Sequence, residues 1–153
     1  MTIFSNFLVG TLIILSLLAL PAIAAGTSDG SSTETATVSV YDEAKAMVDE
    51  GNFAAALPKL VNLTKMDARN ADAWNLLGFT YRKLGQLADS DTAYLTVLSI
   101  NPNHLGALEY QGELFITTGK IDQAKANLEE LKGLCGSCEQ AEDLEKALKA
   151  AGA

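Results

Sequence analysis

The sequence predicts an all-α fold: a solenoid of three helical hairpins closed by a C-terminal capping helix. Glycines recur at a fixed interval, and small and apolar residues recur around them at the same interval. After residue 38 the chain is rich in Ala, Leu, Glu and Lys, with Gly where helices would have to stop. At 153 residues, the chain has the length of one ordinary domain.

The repeat interval is set by Gly51, Gly85 and Gly119, which are 34 residues apart in each case. Each glycine is expected to follow the first helix of a pair, where a positive φ lets the chain reverse without a Cβ clash. Small residues then recur where helices approach closely, and large apolar residues recur where side chains fill the space between them. The aligned columns are Ala44, Gly78 and Gly112; Met47, Tyr81 and Phe115; Phe53, Leu87 and Ile121; Ala56, Ser90 and Ala124; Leu60, Tyr94 and Leu128; and Leu63, Val97 and Leu131.

The middle repeat, residues 71–104, resembles a tetratricopeptide repeat (TPR). It reproduces the W-x2-L-G-x2-Y start and the terminal Pro of that family through Trp74, Leu77, Gly78, Tyr81 and Pro102. Residues 37–70 and 105–136 match more loosely, so the resemblance covers about two thirds of the chain. It implies three stacked pairs of antiparallel helices sharing one core, with Trp74 packed between helices.

The ends of the chain differ from the repeats. The first 25 residues carry no charged side chain, and Ala22 and Ala24 fit the A-x-A rule, so residues 1–24 are predicted to be a signal peptide cleaved before Ala25. An uncleaved anchor is the alternative, because no Lys or Arg precedes the apolar run. Residues 25–37 are small and rich in hydroxyl groups, which predicts a disordered linker. Residues 137–153 predict the capping helix, with Leu144 and Leu148 on one face.

Charge and export limit the partners that this chain can have. Eleven Lys and Arg against nineteen Asp and Glu give a formal net charge of −8, which opposes nucleic acid. There is no cluster of basic residues for anionic lipid, so membrane contact is expected only through an uncleaved N-terminus. The signal predicts an exported protein of a bacterial periplasm, or one anchored there by its N-terminal segment.

The sequence CGSC contains the only two cysteines, Cys135 and Cys138. In an exported protein they are expected to form a disulfide that fixes the corner before the capping helix, contributing about 2 kcal/mol for so short a loop. A redox-active dithiol is the alternative, since Cys138 lies near a predicted helix N-terminus. Metal binding requires more ligands than two thiols, and no metal site is predicted. Covalent haem attachment requires His where Glu139 stands.

In TPR proteins the first helix of each pair lines a concave groove that takes an extended peptide or a partner helix, so the resemblance implies that this chain binds there. The partner-binding residues predicted at the groove positions are Tyr41, Lys45, Asn75, Phe79, Arg82, Glu109, Glu113 and Ile116. Phe79 beside Arg82 is the expected anchor. TPR domains that grip a terminal carboxylate use Lys, Arg and Asn on these helices, whereas Glu109 and Glu113 make this end acidic. The partner is therefore expected to be basic or neutral polar.

No catalytic residue or cofactor is predicted. The sequence lacks a phosphate-binding loop, HExxH and GxSxG. The single histidine, His104, is expected to be a solvated turn residue. We therefore predict a non-catalytic adaptor or scaffold for a protein or peptide partner in the cell envelope, acting in assembly, secretion or maturation. A thiol–disulfide participant and a self-associating structural module are the alternatives.

Overall fold

The computed structural model describes residues 40–153, so the predicted signal peptide (1–24) and linker (25–37) lie outside the described residues. Residues 40–153 form seven helices and no strand. Helix α1 covers residues 40–49 of this part. The others are α2 (Phe53–Met66), α3 (Ala71–Lys83), α4 (Leu87–Ile100), α5 (Leu105–Thr117), α6 (Ile121–Cys135) and α7 (Glu139–Ala150). Among residues 40–153, no helix has the length and apolar character needed to cross a membrane.

The helices stack in chain order, and each packs against the next from α2 to α7. In addition, α3 contacts α5 and α5 contacts α7, so the odd-numbered helices form one layer. The buried side chains of α1 join this layer through the cluster that contains Ala44, Val48 and Leu77. The layer of α1, α3, α5 and α7 is called the inner layer below, and α2, α4 and α6 form the outer layer. The predicted all-α solenoid is confirmed.

The three turns inside the hairpins have the same geometry. Gly51, Gly85 and Gly119 have φ values of 77°, 75° and 75°. Each lies two residues before the next helix, which begins at Phe53, Leu87 or Ile121. No residue other than glycine has a positive φ in the described part of the chain. The left-handed backbone therefore explains why glycine recurs at this position of every repeat.

The core is built from the repeating columns in three adjoining clusters. One joins α1, α2 and α3, a second joins α4 and α5, and a third joins α5, α6 and α7. Trp74 packs against the first two clusters, which confirms its predicted place between helices. Its indole Nε1 donates a hydrogen bond to the carbonyl oxygen of Ala68 at 3.1 Å. In α7, Leu144 and Leu148 are buried as predicted.

The small residues Gly78 and Gly112 mark the closest contacts between helices. A Cβ on Gly78 would lie 2.7 Å from the Cε1 atom of Tyr94 in α4, and a Cβ on Gly112 would lie 2.5 Å from a methyl carbon of Leu144 in α7. Tyr94 and Leu144 are fully buried, so neither side chain has open space into which it could withdraw. In the same contact, the Ser90 hydroxyl donates a hydrogen bond to the Gly78 carbonyl at 2.8 Å.

Gly78→Ala should lower the free energy of unfolding by about 1–3 kcal/mol, because the added methyl overpacks the contact with Tyr94. Gly133→Ala is the matched control. Gly133 lies in α6 with nothing within 4 Å of a built Cβ, so this change should raise stability by about 0.5–1 kcal/mol through lower chain entropy. Urea unfolding followed by circular dichroism measures both. Equal shifts in the two variants would contradict the close packing at Gly78.

Candidate functional site

The inner layer carries two neighbouring cavities, which together are called the groove. The first lies between α1, α3 and α5, has a volume of about 200 Å³, and is called the aromatic pocket. The second lies between α5 and α7, has a volume of about 370 Å³, and is called the acidic cleft. The aromatic pocket is lined by Tyr41, Lys45, Val48, Asp49, Asn75, Leu76, Phe79 and Tyr110. The acidic cleft is lined by Glu113, Asp143, Lys146, Ala147 and Ala150.

Aromatic rings form the floor of the pocket. The Phe79 and Tyr110 ring centroids are 5.0 Å apart, and Phe53 of α2 approaches Phe79 edge-on at 6.1 Å. Tyr41, Phe79 and Tyr110 are each half-buried, so part of every ring remains accessible. Half-buried aromatic side chains with ring contacts of this kind supply large contact areas at little entropy cost on binding.

Arg82 joins the two cavities. Its guanidinium forms an ion pair with Glu113 and lies 5.4 Å from the Phe79 centroid and 5.9 Å from the Tyr110 centroid. Only 12% of the Arg82 side chain is exposed. The combination of a carboxylate partner and two ring faces fixes this guanidinium between the aromatic pocket and the acidic cleft.

The other cation on the pocket wall is also paired. The Lys45 ammonium donates a hydrogen bond to Asp49 at 2.6 Å, one helical turn away in α1. Lys45 and Arg82 therefore each have a carboxylate partner within the groove.

Two tyrosine hydroxyls of the pocket lie near carboxylates. Burial raises the pKa of the Tyr41 hydroxyl, and the carboxylates of Asp72, Asp42 and Asp49 raise it further. Burial likewise raises the pKa of Tyr110; Glu109 and Glu113 add to that effect, and Arg82 opposes it.

Glu109 is the most perturbed carboxyl of the groove. Its residue surface is only 8% exposed, and burial raises its pKa to about 7. The nearby carboxylates of Glu113, Asp143 and Glu139 also raise this pKa, while Arg82 opposes them. The predicted acidic end of the groove is therefore a set of carboxylates between α5 and α7, one of which is partly protonated at neutral pH.

The predicted partner-binding residues do not all reach the cavities. Tyr41, Lys45, Asn75 and Phe79 line the aromatic pocket, and Glu113 lines the acidic cleft. Arg82 lies between the two cavities. Glu109 is buried, and Ile116 packs against the core of α5, α6 and α7 and lines neither cavity.

Sequence reasoning missed Tyr110 and Asp49 as pocket residues. Both lie next to predicted positions: Tyr110 directly follows Glu109, and Asp49 is one helical turn after Lys45. The aromatic character of Tyr110 and the i, i+4 spacing of Lys45 and Asp49 were the signals that could have found them.

The expectation that His104 is a solvated turn residue is wrong. Its Nδ1 accepts a hydrogen bond from the Ala107 amide at 3.1 Å, so the imidazole caps α5. Its Nε2 lies 3.0 Å from Asp72 of α3, and only 12% of the side chain is exposed. A histidine can cap a helix in this way because its unprotonated nitrogen accepts from the free amides of the first turn.

The structure joins Cys135 and Cys138 in a disulfide across the corner between α6 and α7. Cys138 is the residue before α7, and both cysteines are half-buried. Within residues 40–153 there is no cluster of three or more His, Cys, Asp or Glu side chains that could hold a metal ion.

Comparison with known proteins identifies the repeat. Residues 71–104 match the family model described as tetratricopeptide repeat. Residues 71–104 are thus a tetratricopeptide repeat. Along 94 residues it is 28% identical to a Caenorhabditis elegans protein described as tetratricopeptide repeat protein 21 homolog. The match covers 61% of this chain but only 7% of that much longer protein, so it shows the TPR character of the segment and nothing of the other protein's activity.

Solved TPR structures have the same fold. The second TPR domain of human RPAP3, solved in complex with an HSP70 peptide, superposes with a TM-score of 0.68 at 18% identity, covering 76% of this chain and 98% of that one. The Yersinia enterocolitica type III secretion chaperone SycD, in complex with a peptide of the translocator YopD, gives a TM-score of 0.68 at 15% identity. That match covers 77% of this chain and 93% of SycD.

The Glu109 carboxyl predicts a pH-dependent stability. Its pKa of about 7 in the folded protein lies above the ordinary 4.5, so the folded state holds the proton more tightly and stability should fall as pH rises from about 4.5 to about 7. Relative to Glu109→Gln, the wild type should lose up to about 3 kcal/mol over this range. Urea unfolding of both proteins at several pH values measures the difference. A parallel pH dependence in the two would contradict the buried position of Glu109.

Proposed function

We propose that this TPR protein is a non-catalytic adaptor that holds an extended segment or a helix of a partner protein in the groove. The observation that carries the proposal is the aromatic pocket, where three half-buried rings from α1, α3 and α5 surround a cavity on the inner layer. Aromatic and Arg side chains dominate the binding energy of protein interfaces, and here they are concentrated on one face.

The size of the aromatic pocket favours a macromolecular partner. Sites for small molecules and cofactors usually have volumes of about 300–1,000 Å³, and the pocket of about 200 Å³ is smaller. A cavity of this size suits one side chain of a longer ligand that continues along the groove to the acidic cleft. The peptides bound by the RPAP3 domain and by SycD support this mode of binding, since those TPR domains share the fold.

The site of action belongs to the same proposal. The uncharged N-terminal segment with its A-x-A sequence supports export, and a disulfide between Cys135 and Cys138 suits an oxidising compartment such as a periplasm. We therefore place the adaptor in the cell envelope, where it would hold a partner during assembly, secretion or maturation. In this role the disulfide fixes the corner that orients α7 at the end of the groove.

The alternatives receive less support from the described residues. Among the described residues, three large apolar side chains are exposed, Met66, Leu95 and Leu134, one on each outer helix, so the outer layer offers little apolar area for self-association. A thiol–disulfide role would place the active group at the α6–α7 corner, away from the aromatic pocket. The two roles can therefore be separated by mutation.

Phe79→Ala/Arg82→Ala should abolish capture of a specific partner from envelope extract, because it removes the ring and the guanidinium at the centre of the groove. Leu95→Ala/Lys125→Ala is the matched control, removing one large apolar and one basic side chain from outer-layer helices. Thermal unfolding of each variant shows whether the fold is retained.

Cys135→Ser/Cys138→Ser distinguishes the redox alternative in the same capture experiment. The adaptor proposal predicts that this variant keeps the partner and loses only about 2 kcal/mol of stability. Loss of the partner in the cysteine variant alone, with mixed disulfides trapped on the wild type, would replace the adaptor proposal with a redox role.

A further inference from the structure

We propose that the aromatic pocket receives a basic side chain, Lys or Arg, of the bound partner segment. This inference rests on the proposed function and names the chemistry that the groove selects. Three features of the pocket support it: its ring faces, the charges around it, and an unpaired amide oxygen on its wall.

The rings already attract cations. Arg82 lies within 6 Å of the Phe79 and Tyr110 centroids, and the Lys83 ammonium lies 5.0 Å from the Phe79 centroid. Neither cation is among the residues that line the pocket. A cation above the face of an aromatic ring at such distances is attracted by the ring quadrupole, more strongly as water is excluded.

The charges at the pocket favour a cation over an anion. Asp49 lines the cavity, and the carboxylates of Asp42 and Asp72 act on the Tyr41 hydroxyl at its edge. The one cation on the wall, Lys45, is already paired with Asp49. On the opposite side, Glu113 is paired with Arg82, so the excess negative charge near the pocket comes from the aspartates around Tyr41. These aspartates would repel an acidic side chain, whereas a basic side chain would be attracted both by them and by the rings.

Asn75 offers a hydrogen-bond acceptor. Its Oδ1 is buried and accepts no hydrogen bond from residues 40–153. A buried acceptor without a partner is destabilising, and a ligand donor would relieve this cost. Asn75 also lines the pocket, so a donor group of the ligand that reaches this oxygen would satisfy it. Ammonium and guanidinium groups carry only donors, so they match this acceptor.

The occupant is a separate protein. Residues 1–39, the part of this chain outside the structure, contain no Lys or Arg. The N-terminal segment of the chain therefore cannot supply the basic side chain that the pocket selects. A partner segment with a Lys or Arg among uncharged neighbours meets the requirement.

Four peptide libraries test the inference. Each has a fixed central residue, Lys, Arg, norleucine or Glu, with randomised neighbours and blocked ends, and is selected on the full chain. We expect enrichment from the Lys and Arg libraries. In fluorescence polarisation, replacing the basic residue of an enriched peptide by norleucine should weaken binding about tenfold. Increasing salt should weaken the basic peptide more than its norleucine counterpart.

Two variants test whether the basic peptides bind at the aromatic pocket. Asp49→Asn removes a pocket carboxylate and leaves Lys45 unpaired, so it should weaken the basic peptides about tenfold. Glu130→Gln removes the same charge from the exposed side of α6 and should leave binding unchanged. Equal effects of the two variants would overturn the assignment of the site to this pocket.

The library outcomes separate the inference from the proposed function. Enrichment from the Glu or norleucine library, with no preference for Lys or Arg, would overturn the inference while the adaptor role stands. A peptide that ends in free acidic residues, as the HSP70 peptide of the RPAP3 complex does, can be included as a further probe, and its preferential binding would have the same meaning. Failure to enrich any peptide from the four libraries would overturn both.

Discussion

The whole arrangement depends on the close approach of helices at one repeating small residue. Ala44, Gly78 and Gly112 occupy the same position of successive repeats, and all three are buried. At Gly78 and Gly112 there is no room even for a Cβ, because Tyr94 and Leu144 fill the space. This contact sets how far each inner helix sits from its neighbours, so it also sets the width of the cavities on the inner layer. In a solenoid each repeat contacts only its neighbours, so no central core fixes the spacing of the inner helices.

The groove combines half-buried aromatic rings with cations that are paired with carboxylates. Arg82 and Lys45 are neutralised by Glu113 and Asp49, and further carboxylates surround both cavities. The buried Glu109 belongs to this set, and its raised pKa is the energetic consequence of placing carboxylates together with limited water. A ligand that supplies positive charge, as proposed, would stabilise such a site. Binding and stability are thus linked through the same group of side chains.

Much of this fold could be predicted from the sequence because the same residue types recur at equivalent positions of the three repeats. The turn glycines, the core columns and the two leucines of α7 each follow from spacing and chemistry alone. The groove was less predictable, since its residues do not repeat. Tyr110 was missed, and Ile116 lies against the core rather than at either cavity, because equivalent positions in different repeats meet different neighbours. His104 was misassigned because its partners, Asp72 and the Ala107 amide, depend on how α3 and α5 pack.

The central claim, that the partner occupies the inner layer, is tested most directly by site-specific photo-crosslinking. The photoreactive amino acid benzoylphenylalanine would replace Phe79 in the aromatic pocket or Leu95, which is 57% exposed on the outer helix α4. The account predicts a discrete crosslinked partner from position 79 and none from position 95. Crosslinking of the same partner from position 95, with none from position 79, would contradict it.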